Sequence, residues 1–403
     1  MRCLFFFIGV CFFSGCSEKN ISFSDCNQKS YPGAPETDWF FSYGGSGEEA
    51  HGHYVLELSD GGFLQVGETL FSKTNKKILV VKTNANGSLV WKKEYTSGGN
   101  SFGNSAFEID DGYLVCGKEN DDSLIFKLNK DNGEIVFKKT FDGGGSDSFE
   151  HLVVVNDRIY AAGYINSTDP YNSFYSEGQG HIMVLTIQGE LVKKVDLSAY
   201  VSQAYRIAHS GEYLYVSGLN HGAEDYVLIK MDFNQSVLWK YDYGGENQDH
   251  CFGMDVSGSG DIFLTGHTLS GTENWDTYTL KVSADGKKLW DTKIGNPRGF
   301  NPKYIHDEAW GVVSLNDGGC VVVAGTGDEY DQYSNTCEYS GESSDRWKVY
   351  LIRLDAFGGL VWERTFGVDT EDWAGEDVKI TRDEGIIVGV DNGGFGFLKL
   401  SHY

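Results

Sequence analysis

The sequence predicts an all-β chain folded as a single seven-bladed β-propeller of four-stranded blades. Three observations carry this. A unit of roughly 50 residues recurs from Trp39 to the end, each copy reads as short alternating strands separated by Gly-rich turns, and the clearest copy has no helical run. A sheet of four strands cannot bury both of its faces alone, so seven of them packed radially form one domain, and an aromatic content of 14% supplies the side chains that fill the wedges between them.

The clearest copy lies between Trp239 and Trp290. It begins with Trp239-Lys240-Tyr241-Asp242-Tyr243, stopped by Gly244-Gly245, and continues with Cys251 to Val256, a turn at Ser257-Gly258-Ser259-Gly260, the run Ile262 to Gly266, and Tyr278 to Val282. Equivalent phrases are Tyr43-Gly44-Gly45 and Phe141-Asp142-Gly143-Gly144, and the second turn recurs as Asp60-Gly61-Gly62 and Asp317-Gly318-Gly319. A Gly stands four residues before a Trp or its substitute at Gly87/Trp91, Gly133/Phe137, Gly189/Lys193, Gly286/Trp290 and Gly358/Trp362, while Trp239 has Gln235 in that place. With Trp39 in front, seven units follow. The last supplies only three strands before Tyr403, so the phrase Trp39 to Gly45 is expected to complete that blade and close the ring, hiding edges that an open sheet would expose.

Two units are overlong between their second and third strands. Unit three inserts Ile165 to Gly180 and unit six inserts Thr326 to Asp345, and in a four-stranded blade that loop shares a rim with the start of the first strand. The expectation is a ligand-binding rim carried by Tyr171, Tyr175, Tyr330, Tyr339, Asp328 and Asp331, whose flat apolar faces and hydroxyls suit a sugar ring or a protein partner.

Ahead of the repeats, Met1-Arg2 and the apolar run Leu4 to Phe13 read as an export signal too short to span a bilayer as a stable helix, and residues 16–38 as a flexible tether to a propeller at 39–403. An exported chain tends to oxidise cysteines that can meet, and Cys320 with Cys337 are close enough in sequence for a bridge. The formal charge of -25 makes nucleic acid an unfavourable partner, since an acidic surface repels phosphates.

Acid and His residues collect just before the first strand of several units: Glu49 and His51, Glu150 and His151, Asp249 and His250, Asp307 and Glu308. On a propeller these phrases would ring the mouth of the central channel, where carboxylates and imidazoles could hold a divalent cation or act as acid and base. The alternative is that they cap turns and solvate the rim. No His-x-x-x-His or Cys-x-x-Cys spacing supports zinc. No cofactor is expected, with Ca²⁺ the ion such carboxylates would accept, and the metal itself is not specified.

Two family resemblances add to this. Phe13-Ser14-Gly15-Cys16 resembles the bacterial lipobox, which implies cleavage before a lipidated Cys16 and a place in the bacterial envelope, at the outer membrane with Ser17 beside the Cys; an ordinary secretory signal is the other reading. The tails Val282 to Trp290 and Leu354 to Trp362 resemble the tryptophan-docking motif of quinoprotein-type propellers with PQQ-like repeats, which implies Trp rings docked blade on blade. Phe137 and Lys193 depart from it, and no two cysteines are adjacent as in a quinone-dependent dehydrogenase. The same tails come close to the sialidase Asp-box but miss its spacing. The expected function is therefore a monomeric, envelope-anchored, non-catalytic binding or scaffolding module for an envelope protein or carbohydrate. The first rival is a carbohydrate-active propeller enzyme such as a polysaccharide lyase, which needs His, Tyr and Arg converging in the channel mouth, and the second is a quinone-dependent dehydrogenase.

Overall fold

A computed structural model describes residues 29–403 except 73–74, 97–98, 168–176, 223–224, 328–346 and 369. Seven four-stranded antiparallel sheets follow one another, six of them built from consecutive strands and the seventh in the order of the strand Thr37–Tyr43 followed by Phe395–Leu400, Ile386–Asp391 and Ala374–Ile380. The N-terminal strand thus completes the last blade, with Trp39 opposite Lys399 and Tyr43 opposite Phe395. Residues ahead of it are docked as well: Tyr31 donates to Glu363 at 3.2 Å, and Arg364 donates to the Pro35 carbonyl at 2.8 Å.

The first strand of each blade lines the axis. These are Glu49–Glu57, Phe102–Ile109, Ser146–Val155, Gln203–Ser210, Asp249–Val256, His306–Ser314 and Ala374–Ile380, numbered here as blades 1 to 7. Each touches its neighbours on both sides, and blade 1 meets blade 7. The core is correspondingly divided into one apolar cluster per blade interface. Val66, Ile78 and Val80 of blade 1 meet Val115, Leu124 and Phe126 of blade 2, and Val55, Phe63 and Val81 of blade 1 meet Ile387, Phe395 and Phe397 of blade 7.

The repeat grammar has a physical cause in these interfaces. Gly286 and Gly358 have φ of 82° and 83°, a conformation that costs an L side chain energy, and each lies under an aromatic side chain of the preceding blade, Tyr241 and Trp290. The same contact places Trp91 on Gly133 and Phe137 on Gly189. Trp290 Nε1 donates to the Ala356 carbonyl at 2.9 Å, and the hydroxyls of Tyr43, Tyr95 and Tyr243 donate to the carbonyls of Gly87, Gly133 and Gly286 at 2.6 to 2.8 Å. Blade-on-blade docking by the Trp phrase is therefore observed. The Asp of the second turn is also bound, since Asp60, Asp111 and Asp261 pair at 2.7 to 2.9 Å with Lys82, Lys127 and Lys281 of the third strands.

Outermost strands leave an unpaired edge. In six blades the residue before the Trp position is an exposed aliphatic bulge, Val90, Val136, Val192, Leu238, Leu289 and Val361, and the extra residue twists the edge away from further pairing.

The two insert-bearing loops follow Ser167 and Gly327, which pair with Ser146 and His306 at the start of the inner strands of blades 3 and 6. Both loops therefore leave from the rim at which the inner strands begin. Tyr171, Tyr175, Asp328, Tyr330, Asp331 and Tyr339 lie outside the described residues, as does Cys337. Cys320 is a fully buried free thiol in the blade 5–6 core.

Candidate functional site: the mouth of the central channel

Every inner strand carries a β-bulge at the same level, and the inner strand of blade 3 has a second irregularity at Asp147. The register slips at His53, Asn104, Glu150, Tyr205, Phe252, Trp310 and Glu376. A bulge puts two residues of one strand opposite one of its partner and re-aims a side chain. Here it turns one residue per blade toward the axis, and all seven line a single chamber of about 180 Å³ together with His51, Arg206 and Asp391. A second chamber of about 250 Å³ continues toward the other rim, lined by Tyr54, His151, Asp255, Asp377 and Lys379, with Arg206 on the border of both.

The chamber at the mouth has two unlike sides. Blades 4, 5 and 6 contribute an aromatic arc, with Tyr205 and Phe252 5.0 Å apart and Phe252 and Trp310 4.5 Å apart between ring centres. His250 and His267 back this arc, their rings 5.2 Å apart, and His250 lies 4.7 Å from Trp275. Burial pushes His267 down to about 4, so it is neutral near pH 7. Blades 7, 1, 2 and 3 contribute polar groups instead. His53 Nε2 lies 2.5 Å from Glu68 Oε2, and Lys76 reaches the other oxygen at 3.4 Å. Burial works against both charges of the pair, yet their mutual attraction prevails: His53 is raised to about 9 and Glu68 is held at about 2. Burial, with Asp391, Glu68 and Glu308 as like-charged neighbours, pushes Glu376 up to about 8. Burial also raises Glu150, whose Oε1 is buried and accepts no hydrogen bond among the described residues.

The anticipated cation-site residues are dispersed by this geometry. His51 and Glu150 line the mouth chamber, and Glu49 stands exposed beside His51 at 3.7 Å. His151 lies one level deeper, where burial and the charges of Arg206 and Lys379 hold it well below its ordinary pKa and Nδ1 meets the Ile207 carbonyl at 3.0 Å. His250 belongs to the backing of the aromatic arc. Glu308 lies 3.6 Å from His306; burial raises its pKa, but His306, His267 and His250 outweigh this and hold it low.

Asp249 and Asp307 point the other way, with no exposed surface, and accept the turn amides of Gly245 at 2.7 Å and Asn296 at 2.6 Å. Asp147 does the same work in blade 3, accepting from Asn166 at 2.7 Å. Turn capping, weighed above as the alternative, is what these three aspartates do. Among the described residues only Asp122, Asp142 and Asp147 bring three potential ligand atoms within 4.8 Å of one another, and they lie away from the channel.

Six of the seven bulge residues were missed by reading the sequence: His53, Asn104, Tyr205, Phe252, Trp310 and Glu376. A signal was present, since six of the seven bulge residues follow Gly, Ala or Cys, as in Gly52-His53, Ala204-Tyr205 and Gly375-Glu376.

No protein-family model matches this sequence, and no curated protein matches it. Solved structures do resemble it in fold. The WD40 domain of Neurospora crassa Pan2 aligns with a TM-score of 0.54 at 11% identity, covering 87% of this chain and 89% of that one. Kuenenia stuttgartiensis hydrazine synthase aligns with a TM-score of 0.51 at 10% identity over 78% and 89%. The Dos1 propeller aligns with a TM-score of 0.50 at 10% identity over 91% and 95%. At such identities the likeness concerns the fold alone: this chain is a β-propeller with WD40-like structural neighbours.

Proposed function

We propose that the chain is a lipid-anchored envelope protein, with PQQ-like repeats, that binds a small ligand in the mouth of its channel and does no chemistry on it. The observation that carries the reading is the ring of seven in-register bulges, which turns one side chain per blade into a shared chamber. A preformed concave site with an aromatic wall and a few convergent polar groups is the usual form of a small-molecule site. The N-terminal strand starts at Thr37 opposite Leu400, at the rim away from the mouth, an arrangement compatible with an anchor on that side.

Calorimetry tests the binding part. A ligand library is titrated against the full chain, and Trp310→Ala is expected to remove saturable binding heat while the protein still melts cooperatively; binding unaffected by that change refutes the site. For the anchor, Cys16→Ser is expected to release the protein from the membrane fraction. A variant that stays in the pellet with unchanged mass refutes lipidation.

A polysaccharide lyase is the second reading, because His51, His53, Tyr205 and Arg206 do line one chamber. One feature opposes it: His53 is held protonated by Glu68 and so lacks the lone pair a base needs. Formation of unsaturated uronide from acidic polysaccharides would establish it.

A further inference from the structure

We propose that the mouth chamber binds an organic cation, an amine or quaternary ammonium carried on a ring or methylated head, between the aromatic arc and the glutamates that bracket it. This deepens the binding role proposed above by giving its ligand a chemical class. The bracketing follows from blade order: Glu150 stands next to Tyr205 at one end of the arc and Glu376 next to Trp310 at the other. Aromatic faces attract cations through their quadrupoles, most strongly where water is excluded, and Trp is the best of the three.

The second observation is Glu150 itself. It is 7% exposed, lines the chamber, and its Oε1 is buried without a hydrogen-bond partner among the described residues. A buried carboxylate oxygen left unpaired is costly, and a ligand N–H or N⁺–CH₃ would meet it. His53, Arg206 and Lys118 act on Glu150 through space, but none of them donates a hydrogen bond to Oε1 among the described residues, and His53 is paired with Glu68.

A bare metal ion is the other class of cation, and the geometry argues against it. Direct coordination brings several ligand atoms around one point, whereas the mouth carboxylates form no group of three within 4.8 Å among the described residues. A chamber of about 180 Å³ with an aromatic wall suits a molecule with a body of its own.

The test uses the full chain and three probes: choline, its uncharged carbon isostere 3,3-dimethylbutan-1-ol, and CaCl₂. Binding is read by Trp fluorescence and by calorimetry in two buffers of different ionisation enthalpy at pH 7. Choline is expected to bind at least tenfold more tightly than the isostere, with proton release on binding as Glu376 ionises. Glu150→Gln, which keeps the shape of the side chain, is expected to weaken choline at least tenfold and leave the isostere unchanged.

Equal affinity for choline and the isostere, or a Glu150→Gln protein that binds choline as the parent does, overturns the proposal. Tight Ca²⁺ binding that excludes choline overturns it in favour of a metal site. Binding of a neutral oligosaccharide but not choline, abolished by Trp310→Ala, overturns the cation class and leaves the mouth a ligand site. No saturable binding by any probe or library member overturns both.

Discussion

Glu68→Gln is the sharpest perturbation of the mouth, because it removes one partner of a buried ion pair without changing its volume. His53 stands at about 9 in the folded chain against an ordinary 6.5. A group raised in this way contributes stability that is complete below pH 6.5 and is lost as pH rises through 9. With those two values the pair contributes about 3 kcal/mol at pH 6, between about 2 and 3 at pH 7, and close to nothing at pH 10. Glu68, held at about 2, reports the same attraction from the other side and is counted once; that contribution is present above its ordinary 4.5 and is lost as pH falls through 2. The weaker Lys76 contact at 3.4 Å leaves a residue of under about 1 kcal/mol at high pH. Urea unfolding of parent and Glu68→Gln at pH 6 and pH 10 measures the difference. The expected loss is about 3 kcal/mol at the lower pH, shrinking at least threefold at the higher one. A loss of the same size at both would show that Glu68 acts by packing, and the charged-pair account of His53 would be wrong.

Glu376 gives a slope of the same sign as His53 in a lower pH window. A carboxyl at about 8 in the folded chain and 4.5 unfolded binds more protons when folded, so stability falls as pH rises from 4.5 to 8, and Glu376→Gln is expected to flatten that slope in melts taken across the window. A chain starting at Ser46 lacks the strand that pairs with Phe395–Leu400; it is expected to lose cooperative melting and to associate through the bared edge, and a melt like that of a chain starting at Lys29 would refute closure. Gln235 occupies the turn position held elsewhere by Gly and has φ of 64°, so Gln235→Gly is expected to stabilise by about 1 kcal/mol in urea unfolding. Destabilisation would mean that its side-chain bond to the Phe233 carbonyl outweighs the strain.

The architecture was legible because its causes are written into local chemistry. Gly286 four residues before Trp290 marks a left-handed turn that must pass under an aromatic ring, and a strand missing at the end matched a spare phrase at Trp39. The site was legible only in part, and the reason is parity. Alternation along a strand assigns Phe252 and Trp310 to the side that a period of two dictates, but a bulge adds one residue and sends them to the axis instead. Ordinary alternation, ahead of the bulge, separates Asp249 and Asp307, which tie turns, from their neighbours His250 and Glu308, although acid and His residues stand side by side in the sequence. For Tyr171 and Tyr330 the sequence argument from loop length stands without a structural counterpart, since both fall outside the described residues.

The bulge level is also where this ring can differ from other rings of the same fold. Residues between blades are held to aliphatic or aromatic types by the clusters they complete, as with Val66, Ile78 and Val115. The bulge residues of blades 1, 2, 3 and 7 belong to no such cluster, so their identities can change with little effect on closure, whereas Tyr205 and Phe252 are also part of the blade 4–5 cluster and Trp310 packs against it. The seven positions carry His, Asn, Glu, Tyr, Phe, Trp and Glu, six residue types on one repeated backbone. Fold likeness at about 10% identity concerns the fold alone and names no ligand. A seven-residue string taken from the bulges is the shortest description of what this chamber selects, and an aromatic run of three flanked by glutamates is a pattern that can be sought in other propellers without any overall sequence similarity.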